Sequence, residues 1–108
     1  MTTIEFPRVV WEFLAAANSC DRAWLETLFV DDCTLVACGF RASGREAVSA
    51  WGKTEVMDAG IALSILGVSL TRDITTLRVQ ALDHGCVHDC DLEFRTLGRY
   101  ISSLTISV

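Results

Sequence analysis

The sequence predicts a single α+β domain in which helices come first and a mainly antiparallel sheet follows. Apolar residues recur at helical spacing in the first half of the chain, which is typical of helices that bury one face. After Gly60 the chain becomes rich in Ile, Leu, Val and Thr, and clusters of turn-forming residues separate the apolar runs, as in a sheet built from hairpins. A chain of 108 residues can build one hydrophobic core, so we expect residues 1–108 to form one domain.

The first two predicted helices are bounded by polar residues. The first carries apolar residues on one face and ends at Asn18, where Asn, Ser and Cys interrupt the pattern. The second begins after Asp21, a favourable N-cap, and its apolar spacing extends to Phe29. It should end before Asp31 and Asp32, which we interpret as a solvated turn.

A strand and a third helix complete the first half of the chain. Residues 33–38, Cys-Thr-Leu-Val-Ala-Cys, are predicted to form the first strand. Ser43 and Glu46 have the spacing of a capping box, in which each side chain accepts a hydrogen bond from the backbone N–H group of the other residue. The third helix is therefore expected to begin at Gly44.

Four antiparallel strands are expected in the second half, because turn-forming residues separate the apolar runs at 71–73, 83–85 and 97–99. The run at 61–68 is apolar on both of its predicted faces. A sheet with an apolar outer surface needs a partner to cover it, so we expect a homodimer with a largely apolar interface.

The hairpin around His84 and Gly85 has a register that its loop length predicts. A two-residue loop pairs Asp83 with Cys86 and puts apolar residues on one face and charged residues on the other. A three-residue loop would instead oppose apolar with charged residues along the whole ladder. The apolar face then carries the pairs Leu77–Leu92, Val79–Cys90 and Ala81–His88, and the charged face carries Arg78–Asp91 and Gln80–Asp89.

Charge, targeting patterns and cysteine usage limit the partners, the location and the disulfide content expected of this protein. The net charge of −5 and the lack of any Lys/Arg cluster argue against binding to nucleic acid or to a membrane surface. The first seven residues have no leader pattern, and no apolar run approaches the ~20 residues that span a bilayer, so a cytoplasmic protein is expected. The five cysteines are odd in number and contain no C-x-x-C, which predicts reduced thiols. We predict no cofactor and no metal site.

Four segments, at 13–21, 28–34, 44–51 and 94–101, resemble SnoaL-like and ketosteroid-isomerase-like proteins of the nuclear transport factor 2-like superfamily. The resemblance covers nearly the whole chain and implies a cone-shaped α+β barrel, with three N-terminal helices packed on a curved, mainly antiparallel sheet. It also implies a cavity for a small apolar ligand between the helices and the concave sheet face, and a homodimer formed through the convex face. Because the superfamily contains isomerases, cyclases, hydrolases and pure binding proteins, the resemblance specifies fold rather than chemistry.

The positions that match the catalytic groups of ketosteroid isomerases hold different residues here. By the resemblance, the oxyanion-hole tyrosine of the family matches the position of Phe13, its protonated aspartic acid that of Cys90, and its general base that of Ala37. Phe and Ala cannot exchange a proton, and a thiol is a weak donor. In the limonene-epoxide hydrolase-like pattern, Gln80 replaces the aspartate two positions after Arg78. We therefore expect neither steroid isomerisation nor epoxide hydrolysis of the usual kind.

His88 is the main candidate for chemistry, because it is the one general acid/base that the apolar face of the hairpin supplies. We group it with Asp91 and Arg78 as candidate catalytic residues. The alternative for His88 is a structural histidine of the core. The charged face is expected to be solvated or to contact a second subunit. The alternative is a flipped sheet, in which the charged face rather than the apolar face is turned toward the helices and lines a polar cavity. The predicted pocket-lining residues are Phe13, Ala37, Trp51, Val79, Cys90, Leu92 and Phe94.

Two functional hypotheses follow from these observations. The first is a small-molecule-binding protein that acts as an isomerase, cyclase or hydratase/hydrolase on a small apolar substrate through His88. The alternative is a non-catalytic ligand-binding or dimerisation module of the same fold, whose cavity is partly filled by Phe13, Trp51, Leu92 and Phe94. An open cavity with an inward His88 beside a carboxylate would favour the enzyme, and a filled cavity would favour the module.

Overall fold

The computed structural model describes residues 7–108, which form a layer of helices packed on one face of a six-stranded sheet. The helices are α1 (Arg8–Asn18), α2 (Arg22–Thr27) and α3 (Arg45–Gly52), and a π-helical turn, Lys53–Met57, continues α3. The strands are β1 (Phe29–Ala37), β2 (Phe40–Ser43), β3 (Ala62–Thr71), β4 (Ile74–Asp83), β5 (Cys86–Leu97) and β6 (Tyr100–Ser107). The segment 1–6, in which we expect no leader sequence, lies outside these residues.

The sheet is mixed and open. Its strand order is β2-β1-β6-β5-β4-β3, and the pairing of β1 with β6 is parallel while the other pairings are antiparallel. The predicted α+β class is confirmed, but the sheet does not close into a barrel. Closure requires the two edges to pair, and the edge strands here are β2, which has only four residues, and β3. Within residues 7–108, no helix has both the length and the apolar character needed to cross a membrane.

The first strand begins earlier than the sequence pattern predicts. Phe29 lies in β1 and pairs with Ile101 of β6, whose backbone N–H donates to the carbonyl oxygen of Leu28 at 2.8 Å. Asp31 and Asp32, predicted to form a turn, are therefore strand residues with exposed side chains. Local spacing favours helix at Phe29, but its parallel pairing with Ile101 of β6 makes it a strand residue, so tertiary context overrides propensity here.

The start of α3 also differs from the prediction. The helix is capped by Gly44, and no side chain caps it, so the capping box between Ser43 and Glu46 is not formed. Ser43 instead ends β2, and the backbone N–H of Gly44 donates to the carbonyl oxygen of Cys33 at 2.8 Å. This connection needs φ = +94° at residue 44, a conformation that glycine adopts without strain.

The hairpin of β4 and β5 has the predicted register, including the Asp83–Cys86 and Ala81–His88 pairs. Its two loop residues, His84 and Gly85, have φ of +49° and +85°, as a two-residue turn of the favoured hairpin type requires. The face of β4 that contains Leu77, Val79 and Ala81 is buried, because the helices pack on that side of the sheet.

The hydrophobic core lies between the helices and the inner face of the sheet. Three aromatic rings form its centre: Phe13 of α1 packs edge-to-face on Phe94 of β5, with ring centroids 5.1 Å apart, and on Phe29 of β1, with centroids 6.2 Å apart. Edge-to-face pairs at these separations add to the stabilisation from burial alone. The surrounding buried side chains include Val10, Leu25, Leu35, Leu77, Ile101 and Leu104.

The free edge of β3 is held by a side-chain amide. Asn18, the last residue of α1, donates from Nδ2 to the carbonyl oxygen of Leu63 at 3.0 Å and accepts from the N–H of Leu63 at 2.9 Å. The amide thus makes the two hydrogen bonds that another strand would make at this position. It connects the end of α1 to the strand that closes one side of the cavity described below.

Replacing Asn18 with alanine should lower the free energy of unfolding by about 1–2 kcal/mol, because it removes two hydrogen bonds that water can partly replace. Urea unfolding measures the loss, and amide hydrogen exchange at Leu63 should accelerate. Ser19→Ala, next to it on the exposed end of the helix, is the control and should change stability by less than ~0.5 kcal/mol. Equal effects of the two substitutions would contradict the role assigned to Asn18.

Candidate functional site

A cavity of about 270 Å³ lies between the helices and the inner face of the sheet, and we call it the apolar pocket. Its walls are mainly hydrocarbon, and its polar groups are two thiols, an indole N–H and one carboxylate. Its lining consists of Phe13 from α1, Ala37 and Cys38 at the end of β1, Trp51, Glu55 and Val56 from α3 and the π-helical turn, and Ile61, Leu63, Ala81, Cys90, Leu92 and Ile106 from the sheet side.

The size of the apolar pocket limits what it can hold. Pockets for drug-sized ligands occupy about 300–1,000 Å³, whereas an apolar cavity of about 150 Å³ is sufficient for benzene. A volume of about 270 Å³ therefore suits a molecule with one ring or a short branched chain.

The inner end of the apolar pocket is closed by aromatic packing. Phe13 both lines the pocket and contacts Phe29 and Phe94, which lie behind it with 1% and 0% of their surface exposed. The rings fill the narrow end of the space between helices and sheet. Among the lining residues, Cys38 and Glu55 are exposed and Trp51 is half-buried, so the apolar pocket reaches solvent on that side.

The structure brings together most of the predicted pocket-lining residues. Val79 and Phe94 are fully buried beneath the apolar pocket and do not line it. The five that line it are Phe13, Ala37, Trp51, Cys90 and Leu92. Phe13, Ala37 and Cys90, which occupy the positions that the ketosteroid-isomerase resemblance assigns to catalytic groups, thus face one space but supply only a phenyl ring, a methyl group and a thiol.

The candidate catalytic residues lie apart from the apolar pocket. Arg78 and Asp91 are on the outer face of the sheet, where Arg78 Nη1 lies 3.2 Å from Asp91 Oδ1, and Arg78 Nη2 lies 3.9 Å from Asp89 Oδ2. The flipped sheet considered above is therefore wrong, because the apolar face of the hairpin is the one that packs on the helices.

His88 is exposed and does not contribute to the lining of the apolar pocket, so the expectation that it faces the cavity is wrong. It occupies the inner face, opposite Ala81, as the register predicts. Burial along this face of β5 falls from Phe94 and Leu92 to Cys90 and is lost at His88 and Cys86, because the hairpin extends beyond the helices that cover the rest of the sheet. A catalytic role shared by His88 and the Arg78–Asp91 pair stays a prediction, and the two lie on opposite faces.

Sequence reasoning missed Cys38, Glu55 and Val56, which also line the apolar pocket. Cys38 reaches it because residues 38 and 39, with φ of +48° and +86°, form the tight turn between β1 and β2. Trp51 and Glu55 are four residues apart, and this spacing on consecutive helical turns puts them on one side of the helix. The spacing is a signal in the sequence, but it identifies a pocket only once the helix is known to face one.

Of the five cysteine thiols, that of Cys33 is buried and that of Cys90 is half-buried, and none of the five is in a disulfide. Burial raises the pKa of the Cys33 thiol above its ordinary value of 9.0, and burial followed by the charge of Asp91 raises the pKa of the Cys90 thiol. The neutral thiol is the favoured form at both positions, so neither is an activated nucleophile. Within residues 7–108, no group of three or more His, Cys, Asp or Glu side chains could hold a metal ion.

These thiols predict a decrease in stability at alkaline pH. Because both pKa values are raised by folding, their contribution to stability is complete below pH 9.0 and is lost as the pH rises through the folded-state values. Melting temperatures measured from neutral pH to above 9.0 test this, and Cys33→Ala should make the melting temperature less dependent on pH in that range.

The burial of Cys33 also predicts the order in which the thiols react. In the native protein, iodoacetamide should modify the exposed Cys20 and Cys86 before Cys33, and rapid modification of Cys33 would contradict its burial.

A larger depression of about 720 Å³ lies between α2 and the start of α3, but it is open to solvent. One of its cations, Arg45, is already paired with Asp31 at 2.6 Å. A wide, solvated surface with paired charges provides little burial for a ligand, so we place the candidate site in the apolar pocket.

Comparison with protein-family models gives no match, and comparison with curated proteins gives none either. Solved structures do match over nearly the full length. The chain is similar to a candidate polyketide cyclase from Sinorhizobium meliloti, with a TM-score of 0.89, 19% identity and coverage of 99% of this chain and 100% of that chain. The chain has the nuclear transport factor 2-like fold.

Two further solved structures are similar to the chain over most of their length. An NTF2-like protein of unknown function from Cytophaga hutchinsonii has a TM-score of 0.82 and 15% identity, with 99% of this chain and 93% of that chain covered. A protein with a ketosteroid isomerase-like fold from Catenulispora acidiphila was solved in complex with trimethylamine, and it has a TM-score of 0.82 and 24% identity, with coverage of 96% and 87%. The nuclear transport factor 2-like fold thus accounts for the whole described chain, while the chemistry must be argued from the pocket.

Proposed function

We propose that this protein binds a small, largely apolar molecule in the apolar pocket. The observation that carries the proposal is a cavity of about 270 Å³ with mainly hydrocarbon walls, which the buried ring of Phe13 closes at one end. Burying apolar surface contributes roughly 25 cal/mol per Å², so such a cavity favours a hydrophobic ligand of matching size. The trimethylamine complex of the Catenulispora acidiphila protein supports small-molecule binding within this fold.

Binding without turnover fits the residues of the apolar pocket better than catalysis does. Isomerases and epoxide hydrolases need a positioned proton donor and acceptor in contact with the substrate, and each such group contributes ~10² or more to the rate. Here Phe13, Ala37 and Cys90 occupy the corresponding positions, and Gln80 replaces the hydrolase carboxylate. Standard ketosteroid and limonene-epoxide substrates should therefore show no turnover above background.

Titration with benzyl alcohol, followed by two-dimensional amide NMR, tests the binding proposal. Shifts should cluster at residues around the pocket, including Ala37, Trp51 and Leu92, and the melting temperature should rise with ligand concentration. At a ligand concentration 100 times Kd, the stabilisation should be about 2.7 kcal/mol. Shifts scattered over the surface, or no shifts at millimolar ligand, would refute the proposal.

We also propose a homodimer formed through the outer face of the sheet. The interface is less apolar than the sequence predicts. The outer face of the sheet is mainly polar, and it carries Arg78, Gln80, Asp89, Asp91, Glu93, Ser103 and Thr105. Its exposed apolar pair is Leu82 with Val87, which lie directly opposite each other near the hairpin turn. We expect light scattering at micromolar concentration to give twice the mass of the chain, and Val87→Glu to shift the protein toward monomer. A monomeric wild type would refute the dimer.

A further inference from the structure

Glu55 is the only charged side chain among the described residues that line the apolar pocket. It lies on the π-helical turn four residues after Trp51, and its side chain is exposed while that of Trp51 is half-buried. The apolar lining residues Phe13 and Leu92 are buried, and Phe13 packs on the ring of Phe94 behind it. A bound molecule would therefore have one end among apolar groups and the other between an indole ring and a carboxylate.

The carboxylate of Glu55 has no cationic partner within residues 7–108. The one lysine of the chain, Lys53, is paired with Asp58, with 2.9 Å between Nζ and Oδ2. The chain carries a net charge of −5, so the rest of the protein adds to the negative potential around Glu55. The open end of the apolar pocket thus presents a negative charge without a positive one beside it.

We propose that the ligand of the apolar pocket is a small protonated amine with apolar substituents, which rests on the proposed binding function. The hydrocarbon part occupies the space above Phe13, and the ammonium group lies between the Trp51 ring and the Glu55 carboxylate. Aromatic faces attract cations through their quadrupole, and tryptophan does so best. An ammonium group also donates charge-assisted hydrogen bonds to a carboxylate.

The charge that the ligand should carry follows from the free-energy cost of desolvating the Glu55 carboxylate. A ligand that fills the apolar pocket removes water from one side of this carboxylate, and loss of hydration disfavours a charged group unless a partner replaces the water. An ammonium group on the ligand compensates for the lost water by forming an ion pair with the carboxylate. A hydroxyl group supplies only one hydrogen bond in its place. A carboxylate on the ligand would add like-charge repulsion, so anions should be excluded.

Three near-isosteric probes separate charge from shape: benzylamine, benzyl alcohol and benzoate. Measured by NMR titration at neutral pH and low salt, benzylamine should bind about tenfold more tightly than benzyl alcohol, and benzoate should bind most weakly. Glu55→Gln should remove most of the preference for benzylamine, with the Trp51 ring accounting for the rest, and should leave the affinity for benzyl alcohol unchanged. Added salt should weaken benzylamine binding alone.

Glu46→Gln is the matched control, because it makes the same change in net charge on α3 at a residue that does not line the apolar pocket. It should retain the preference for benzylamine. Equal affinities of benzylamine and benzyl alcohol for the wild type, or an undiminished preference for benzylamine in Glu55→Gln, would overturn the amine proposal and leave the binding function in place. Failure of all three probes to bind would overturn both. Thermal melts of each variant verify that it is folded.

Discussion

Replacing Phe94 with alanine should destabilise the protein by about 3–5 kcal/mol. The ring is fully buried in the middle of β5 and packs edge-to-face on Phe13 at 5.1 Å between centroids. Phe13 in turn packs on Phe29, so removing Phe94 leaves a cavity in a cluster that joins α1 to both β1 and β5. Domains of this size are stable by only about 5–15 kcal/mol, so the loss would be a large share of the total.

Urea unfolding monitored by circular dichroism measures this loss. Phe40→Ala is the matched control, because Phe40 lies on the edge strand β2 with half of its surface exposed. The same chemical change there should cost well under ~1.5 kcal/mol, since little apolar surface is returned to water. Similar losses at the two positions would mean that the aromatic cluster is not the centre of the core.

Replacing Ala37 with phenylalanine should weaken benzyl alcohol binding by about 30-fold to 150-fold. Ala37 lines the apolar pocket from the end of β1, and its small side chain leaves part of the space open. A phenyl group there would occupy the volume that the ligand needs and would forfeit the roughly 2–3 kcal/mol that burial of a ring contributes. The variant should still fold, because the new ring fills an existing cavity rather than a packed core.

Val36→Phe is the control for this substitution. Val36 precedes Ala37 on the same strand, and its side chain therefore points to the outer face of the sheet. It should bind benzyl alcohol with the affinity of the wild type. NMR titration of both variants makes the comparison, and undiminished binding by Ala37→Phe would show that the ligand occupies another part of the molecule.

The hairpin of β4 and β5 and the start of α2 could be predicted because short-range physics specifies them. A one-residue slip of the hairpin would exchange its apolar and charged faces, and the two-residue turn leaves one register open. Asp21 accepts a hydrogen bond from the N–H of Trp24 at 3.0 Å, as its N-cap position predicts. In both cases the interacting residues are close in the sequence or are related by one turn.

The positions of Phe29, Glu55 and His88 depend on contacts between distant parts of the chain. Phe29 has helical spacing, but it pairs with Ile101, which lies more than seventy positions later. His88 lies on the face of β5 that lines the apolar pocket further along the strand. It is nevertheless exposed, because the helices end before they cover it. Glu55 borders the apolar pocket because a π-helical turn extends α3 over the sheet. Alternation and helical spacing specify which face a residue occupies, and the packing of helices on the sheet determines how much of that face is covered.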